Sequence, residues 1–140
     1  MDVRLDGRKA LITGGSQGLG LAVGKRFADS GGDDVIFARR EDLLAEARAE
    51  IEAVADGGKV AAFSCDVSDA TAIAETYAKV QAEFGEIDIL VNNAGSSVHA
   101  AFEDATDEIW QTDLDLKLFA AIRLSRLAIR GMKQRRWGRI

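Results

Sequence analysis

Proline is missing from this 140-residue chain, which holds one cysteine (Cys65), one histidine (His99) and one tyrosine (Tyr77). The proline deficit, against about 5% in average usage, has no evident structural cause. A lone cysteine excludes an intrachain disulfide and suits a reducing compartment. One His and one Cys are too few to build a zinc site on, so no metal is expected. No apolar run reaches the length of a membrane span, and the acidic, mixed N-terminus is no signal peptide. The expected compartment is therefore the cytoplasm, with no membrane partner. A formal net charge of −5 argues against a nucleic-acid partner. Two local basic clusters stand out against it, Arg39-Arg40 and Lys133-Gln134-Arg135-Arg136.

What is present is the composition of a globular protein: 47% hydrophobic and 29% charged residues. Residues 1–140 are enough for one domain with a real core, and no linker, repeat or low-complexity tract divides them. Short apolar runs without polar alternation predict strands over Lys9–Thr13, Asp34–Ala38, Val60–Cys65 and Ile87–Asn92. Between them the pattern predicts helices over Gln17–Ser30, Glu41–Ala55, Asp69–Phe84 and Thr106–Lys133. Gly31-Gly32, Gly57-Gly58 and Gly85 stop the first three; Ser68 or Asp69, and Thr106 with Asp107, are N-cap candidates for the last two. Alternating strand and helix predicts an α/β fold, a Rossmann-like doubly wound parallel sheet of strand order 3-2-1-4. Trp137-Gly138-Arg139-Ile140 reads as the turn into a fifth strand that barely begins. The last helix is apolar nearly all round, which predicts burial on two sides, one against the sheet and one against another subunit.

The segment Ala10-Leu11-Ile12-Thr13-Gly14-Gly15-Ser16-Gln17-Gly18-Leu19-Gly20 runs an apolar strand into a glycine-rich turn that opens a helix. The first N–H groups of a helix are unpaired within it and carry its positive dipole end, so they attract a pyrophosphate. Glycines let the chain turn sharply and let a ligand approach without a Cβ in the way. The spacing is not G-x-G-x-x-G, since Val23 stands at the third glycine position; it is T-G-x-x-x-G-x-G, with Thr13, Gly14, Gly18 and Gly20.

That loop, followed by Asn92-Asn93-Ala94-Gly95, resembles the classical branch of the short-chain dehydrogenase/reductase family. Cys65-Asp66-Val67, Asp88-Ile89-Leu90-Val91 and Trp110 support the resemblance, which spans essentially the whole chain. The resemblance implies a cofactor cradle of Gly14, Ser16, Gln17, Gly18, Leu19 and Gly20. It also implies that Asp66 bonds the adenine amino group, that Val67 lies against the adenine, and that Asn93, Ala94 and Gly95 run along the cofactor while buttressing the sheet.

Sites that prefer NAD place an acid about 20 residues past the loop, on the ribose 2′-OH. Here Ala38 holds that place, and Arg39, with Arg40 beside it, offers a planar fork suited to a 2′-phosphate. The expected cofactor is NADP(H) rather than NAD(H), although Gln17 stands where many NADP-preferring relatives carry a basic residue.

The resemblance further implies an Asn, a Ser, a Tyr and a Lys as catalytic set, with the Tyr as general acid/base. The Ser and the Tyr-x-x-x-Lys would lie beyond Ile140, and the Asn position falls on Lys117. Tyr77 has Gln81 four residues on, so it reads as surface or packing. Lys117 could donate a proton or bind an anion near the nicotinamide, or simply reach solvent. The function implied is hydride transfer between NADP(H) and a small carbonyl/alcohol pair, with a 3-oxoacyl or other keto reductase as the commonest type. The alternative is a non-catalytic nucleotide-binding module or truncated fragment. Its long helix and the open edge at Ile87–Asn92 predict a homo-oligomer.

Overall fold

The structure is a computed structural model that describes residues 3–97 and 99–140. Strand and helix alternate in the expected order. β1 (Lys9–Thr13), α1 (Gly18–Asp29), β2 (Asp33–Ala38), α2 (Glu41–Glu52), β3 (Val60–Ser64), α3 (Ala70–Phe84) and β4 (Ile89–Val91) come first. After a short 3-10 turn at Phe102–Asp104 come α4 (Asp107–Leu114), a π-helical segment (Asp115–Phe119) and α5 (Ala120–Arg135). The four strands are parallel in the order β3-β2-β1-β4, as expected.

Side chains alternate across each strand, and this divides the core in two. Leu11, Val35, Phe37 and Leu90 face one way and pack with Ile73, Tyr77 and Val80 of α3 and Leu124 and Ala128 of α5. Ile12 and Ile36 face the other way, onto Ala28 of α1 and Leu44, Ala47 and Ile51 of α2. A sheet covered on both faces needs strands that are apolar throughout, which is why these runs lack polar alternation. Tyr77 is part of the packing; its hydroxyl is buried with no partner among the described residues, and desolvation pushes its pKa up to about 12.

The capping expectations resolve to single residues. Asp69 accepts from the N–H groups of Thr71 and Ala72, and Thr106 from Ile109. β4 is shorter than the apolar run Ile87–Asn92 suggests: its ladder with β1 starts at Ile89, and before it Asp88 donates its N–H to the Lys9 carbonyl at 2.9 Å. Its outer edge is not open along its length: the Leu90 N–H donates to the Arg139 carbonyl at 2.9 Å, and the Arg139 N–H to Asp88 at 3.0 Å. The fifth strand thus begins beside β4.

The expected continuous helix over Thr106–Lys133 is corrected: it is two α-helices joined by the π turn. Leu116, Ala120, Leu124, Ala128 and Met132 keep a four-residue spacing toward the core, whereas an α-helix repeats every 3.6 residues. A wide turn absorbs part of that mismatch. The expected burial against the sheet is found on one side of this helical unit, and the expected burial against another subunit concerns the other side. Within this chain one side is buried, while Trp110, Leu114, Leu118, Ile122 and Ile129 stay exposed.

Candidate functional site

At the C-terminal ends of the strands lies a cleft of about 380 Å3. That volume falls in the range of small-molecule and cofactor pockets. The site is built on Thr13, the polar residue that closes β1. Its buried Oγ1 accepts the N–H groups of both Asn93 and Ala94 at 3.0 Å. Asn93 answers with its side chain, donating from Nδ2 to the carbonyls of Thr13 at 3.0 Å and Gly14 at 3.2 Å. These bonds hold the turn after β1 against the loop after β4. The Asn93 amide therefore braces the glycine turn, although the residue also lines the cleft with Ala94 and Gly95.

Two glycines are required by this geometry. Gly14 has φ +65°, and a Cβ on it would come within 3.0 Å of Ala94 Cα. A Cβ on Gly20 would run into the Gly14 carbonyl and lie 2.5 Å from the Asn93 amide. α1 thereby starts directly beneath the turn. Its N-cap, Gln17, makes no side-chain cap bond, and its first turn carries no acidic residue. The leading N–H groups stay open to an anion. Gly14, Ser16 and Gln17 line the cleft; Gly18, Leu19 and Gly20 form the first turn of α1 and do not, and Leu19 is exposed.

The far wall comes from β2 and β3. Ala38 ends β2 with no carboxylate, and Arg39 and Arg40 follow it along the cleft. The two arginines differ. Arg40 is spent on Asp42, with Nη2 at 2.6 Å and Nε at 3.2 Å, which holds the Asp42 carboxyl below its usual range. The Arg39 guanidinium has no partner among the described residues. Asp66 accepts the Ser68 hydroxyl at 2.7 Å and the Ser68 N–H at 3.0 Å on one oxygen, and the hydroxyl bond chiefly lowers its pKa. Its other oxygen has no partner among the described residues. Val67 and Cys65 are buried against the cleft, and burial pushes the Cys65 thiol up.

Lys117 is not gathered into this cleft. It stands in the π turn, half-exposed, with Nζ 2.7 Å from Asp113 Oδ1. Its neighbour Leu116 lines the cleft instead. His99 is exposed and has no partner among the described residues. Phe37, Leu43, Ser96 and Leu116 also line the cleft and were not singled out from sequence. Apolar residues at strand ends and on a long helix carry no local sign of that role. Among the described residues no group of three or more His, Cys, Asp or Glu could hold a metal, and no helix is long and apolar enough to cross a membrane.

A parallel sheet in this order, with a glycine turn feeding an uncapped helix at its C-terminal edge, defines a Rossmann-like nucleotide-binding fold. The chain belongs to the short chain dehydrogenase family, whose model matches residues 8–140. It is 38% identical over 136 residues to D-beta-hydroxybutyrate dehydrogenase of Cupriavidus necator, covering 97% of this chain and 52% of that protein. It is 34% identical to the 3-oxoacyl-acyl-carrier-protein reductase FabG of Escherichia coli, covering 99% of this chain and 54% of that one. Among solved structures, L-sorbose reductase of Gluconobacter frateurii, in complex with NADPH and L-sorbose, superposes with a TM-score of 0.91 at 38% identity. That match covers 96% of this chain and 51% of the reductase. A metagenomic short-chain oxidoreductase in complex with NADP gives 0.89 at 31% identity, over 96% of this chain and 60% of that one. The chain spans about half the length of the curated relatives it matches.

Proposed function

We propose that this chain binds NADP(H), in preference to NAD(H), for an oxidoreductase that interconverts a small carbonyl compound and its alcohol. The observation that carries the reading is the unpartnered Arg39 guanidinium beside Ala38, on the same cleft as the open N-terminus of α1. The first turn of α1 would hold the pyrophosphate, Arg39 the 2′-phosphate, and Asp66 with Val67 the adenine. When bound, the cofactor supplies or accepts the hydride. The protein's part is to keep the dinucleotide extended along the strand ends, with the Gly14 and Gly20 positions clear of side chains.

Titrating NADPH and NADH against the wild type and an Arg39→Ala variant tests this reading. NADPH should bind about tenfold more tightly to the wild type, and the variant should erase the difference while leaving NADH unchanged. Equal affinities in the wild type, or no binding, would overturn it.

Keto reduction is supported by the relatives, whose names pair a hydroxyl with a carbonyl compound: hydroxybutyrate, sorbose and a 3-oxoacyl group. In this reading residues 1–140 act as one dinucleotide-binding domain in the cytoplasm, where the thiol of Cys65 stays reduced. Lys117 would serve the nicotinamide end only by leaving Asp113, so a Lys117→Asn form with unchanged turnover removes it from the machinery.

A second reading concerns assembly. Trp110, Leu114, Leu118, Ile122 and Ile129 form an exposed apolar stripe along α4, the π turn and α5. The N-terminal half of that helical unit carries Asp107, Glu108, Asp113 and Asp115, and the C-terminal half Arg126, Arg130 and Lys133. Two copies packed antiparallel would match stripe to stripe and charge to charge. Sedimentation should give a dimer or larger for the wild type and a monomer for Leu118→Glu.

A further inference from the structure

Arg123 stands in the first turn of α5, outside the cleft, yet its guanidinium touches the segments that carry two cleft-lining residues, Val67 and Leu116. Nη1 donates to the Ser68 carbonyl at 3.2 Å, and Nη2 lies 3.7 Å from Asp115 Oδ1. Its Cζ lies 5.4 Å from the centroid of the Phe119 ring. Ser68 is the residue that holds Asp66, through its N–H and its hydroxyl. Asp115 and Phe119 are the two ends of the π segment, and Leu116 between them lines the cleft. One planar fork therefore joins the loop after β3 to the π segment, a task suited to guanidinium and ill suited to a single ammonium.

We propose that Arg123 is a positioning residue for purine selection: it clamps Ser68 against the π segment and so fixes the orientation of the Asp66 carboxylate. The inference rests on the cleft being an adenine dinucleotide site. With one oxygen held by Ser68, the other is left to accept from an exocyclic amino group. Hypoxanthine places a carbonyl oxygen where adenine has that amino group, and a fixed carboxylate repels it. A carboxylate on an unclamped loop turns away from the oxygen, so the penalty against hypoxanthine shrinks. Selectivity, rather than affinity alone, is what the clamp supplies.

The test compares the dissociation constants of NADPH and its hypoxanthine analogue for wild type, Arg123→Lys and Arg123→Leu, with unfolding midpoints measured alongside. The wild type should favour adenine by about 30-fold, Arg123→Leu by about threefold, and Arg123→Lys by an intermediate ratio. A merely structural role for Arg123 would lower the midpoint and weaken both ligands by the same factor. A ratio unchanged in Arg123→Leu overturns the inference and leaves the site reading standing. Should that variant not fold, an unchanged ratio in Arg123→Lys overturns it equally. Failure of the wild type to bind either dinucleotide overturns both the inference and the reading on which it rests. Equal binding of the two purines by the wild type overturns the inference and the adenine role of Asp66, and leaves the NADP(H) reading standing.

Discussion

The two ends of the sheet are built from similar residues and treat them differently. At the N-terminal end several charged groups are paired within the fold. The buried Asp88 accepts the Lys9 N–H at 3.1 Å and Arg135 Nη2 at 3.0 Å, with Arg8 at 4.0 Å. Asp33 accepts the Lys59 N–H at 2.8 Å, Arg4 pairs with Asp6 and Asp56, and Arg8 lies over the Trp137 ring at 3.7 Å. At the C-terminal end the helix N-terminus is uncapped, Arg39 is unpaired and one oxygen of Asp66 is free among the described residues. Arg39 and Asp66 are exposed, so solvent satisfies them in the free protein, and no bond within the fold has to break for another group to take them. One end closes the fold, and the other keeps its polar groups open toward the cleft.

The largest effect should come from the ligand end. Gly20→Ala forces a Cβ into the Gly14 carbonyl, which should cost about 3 kcal/mol of stability and abolish dinucleotide binding in what remains folded. Chemical denaturation and fluorescence titration measure the two. Asp88→Ala tests the closed end. It strands Arg135 and the Lys9 N–H, and should also cost about 3 kcal/mol while leaving the affinity of the folded protein for NADPH unchanged. A loss of affinity there would break the contrast between the ends.

Asp34 is the exception that sharpens it. It lies at the closed end, fully buried, with neither carboxylate oxygen paired among the described residues. Burial raises its pKa from 3.8 to about 8 in the fold. The unfolded chain releases this proton near pH 3.8, whereas the folded chain holds it until about pH 8. Its contribution is thus whole below the lower value and is lost as pH rises toward the upper one. Asp34→Asn should flatten the slope of stability between pH 5 and pH 8 and gain about 2 kcal/mol at pH 8. A slope unchanged in the variant would assign the pH dependence elsewhere. The smallest effect is the loss of the tenfold preference for NADPH in Arg39→Ala, about 1.4 kcal/mol.

Much of the ligand end was legible in the sequence because its logic is local. A strand, a glycine turn and a helix start follow one another within Lys9–Asp29, and the positive φ of Gly14 and the approach of Gly20 to the Gly14 carbonyl belong to that one turn, whereas the crowding by Asn93 and Ala94 comes from the loop after β4. Arg39 and Arg40 show the limit of this reading. They are adjacent and chemically alike, yet Asp42, two residues on, takes one and not the other. The apolar period over 106–133 could not reveal the π turn, since one extra residue in a turn leaves hydrophobicity unaltered.

From residue order alone came the alternation of elements, the parallel sheet and the nucleotide-binding turn. These follow from periodicity, turn chemistry and the handedness of crossovers, which act over neighbouring residues. Only tertiary structure decided which polar groups are spent. Thr13 meets Asn93 and Ala94 some eighty positions away, and Arg123 meets Ser68 across fifty-five. A side chain's role depends on what lies within about 3 Å of it, and the folded chain sets that distance.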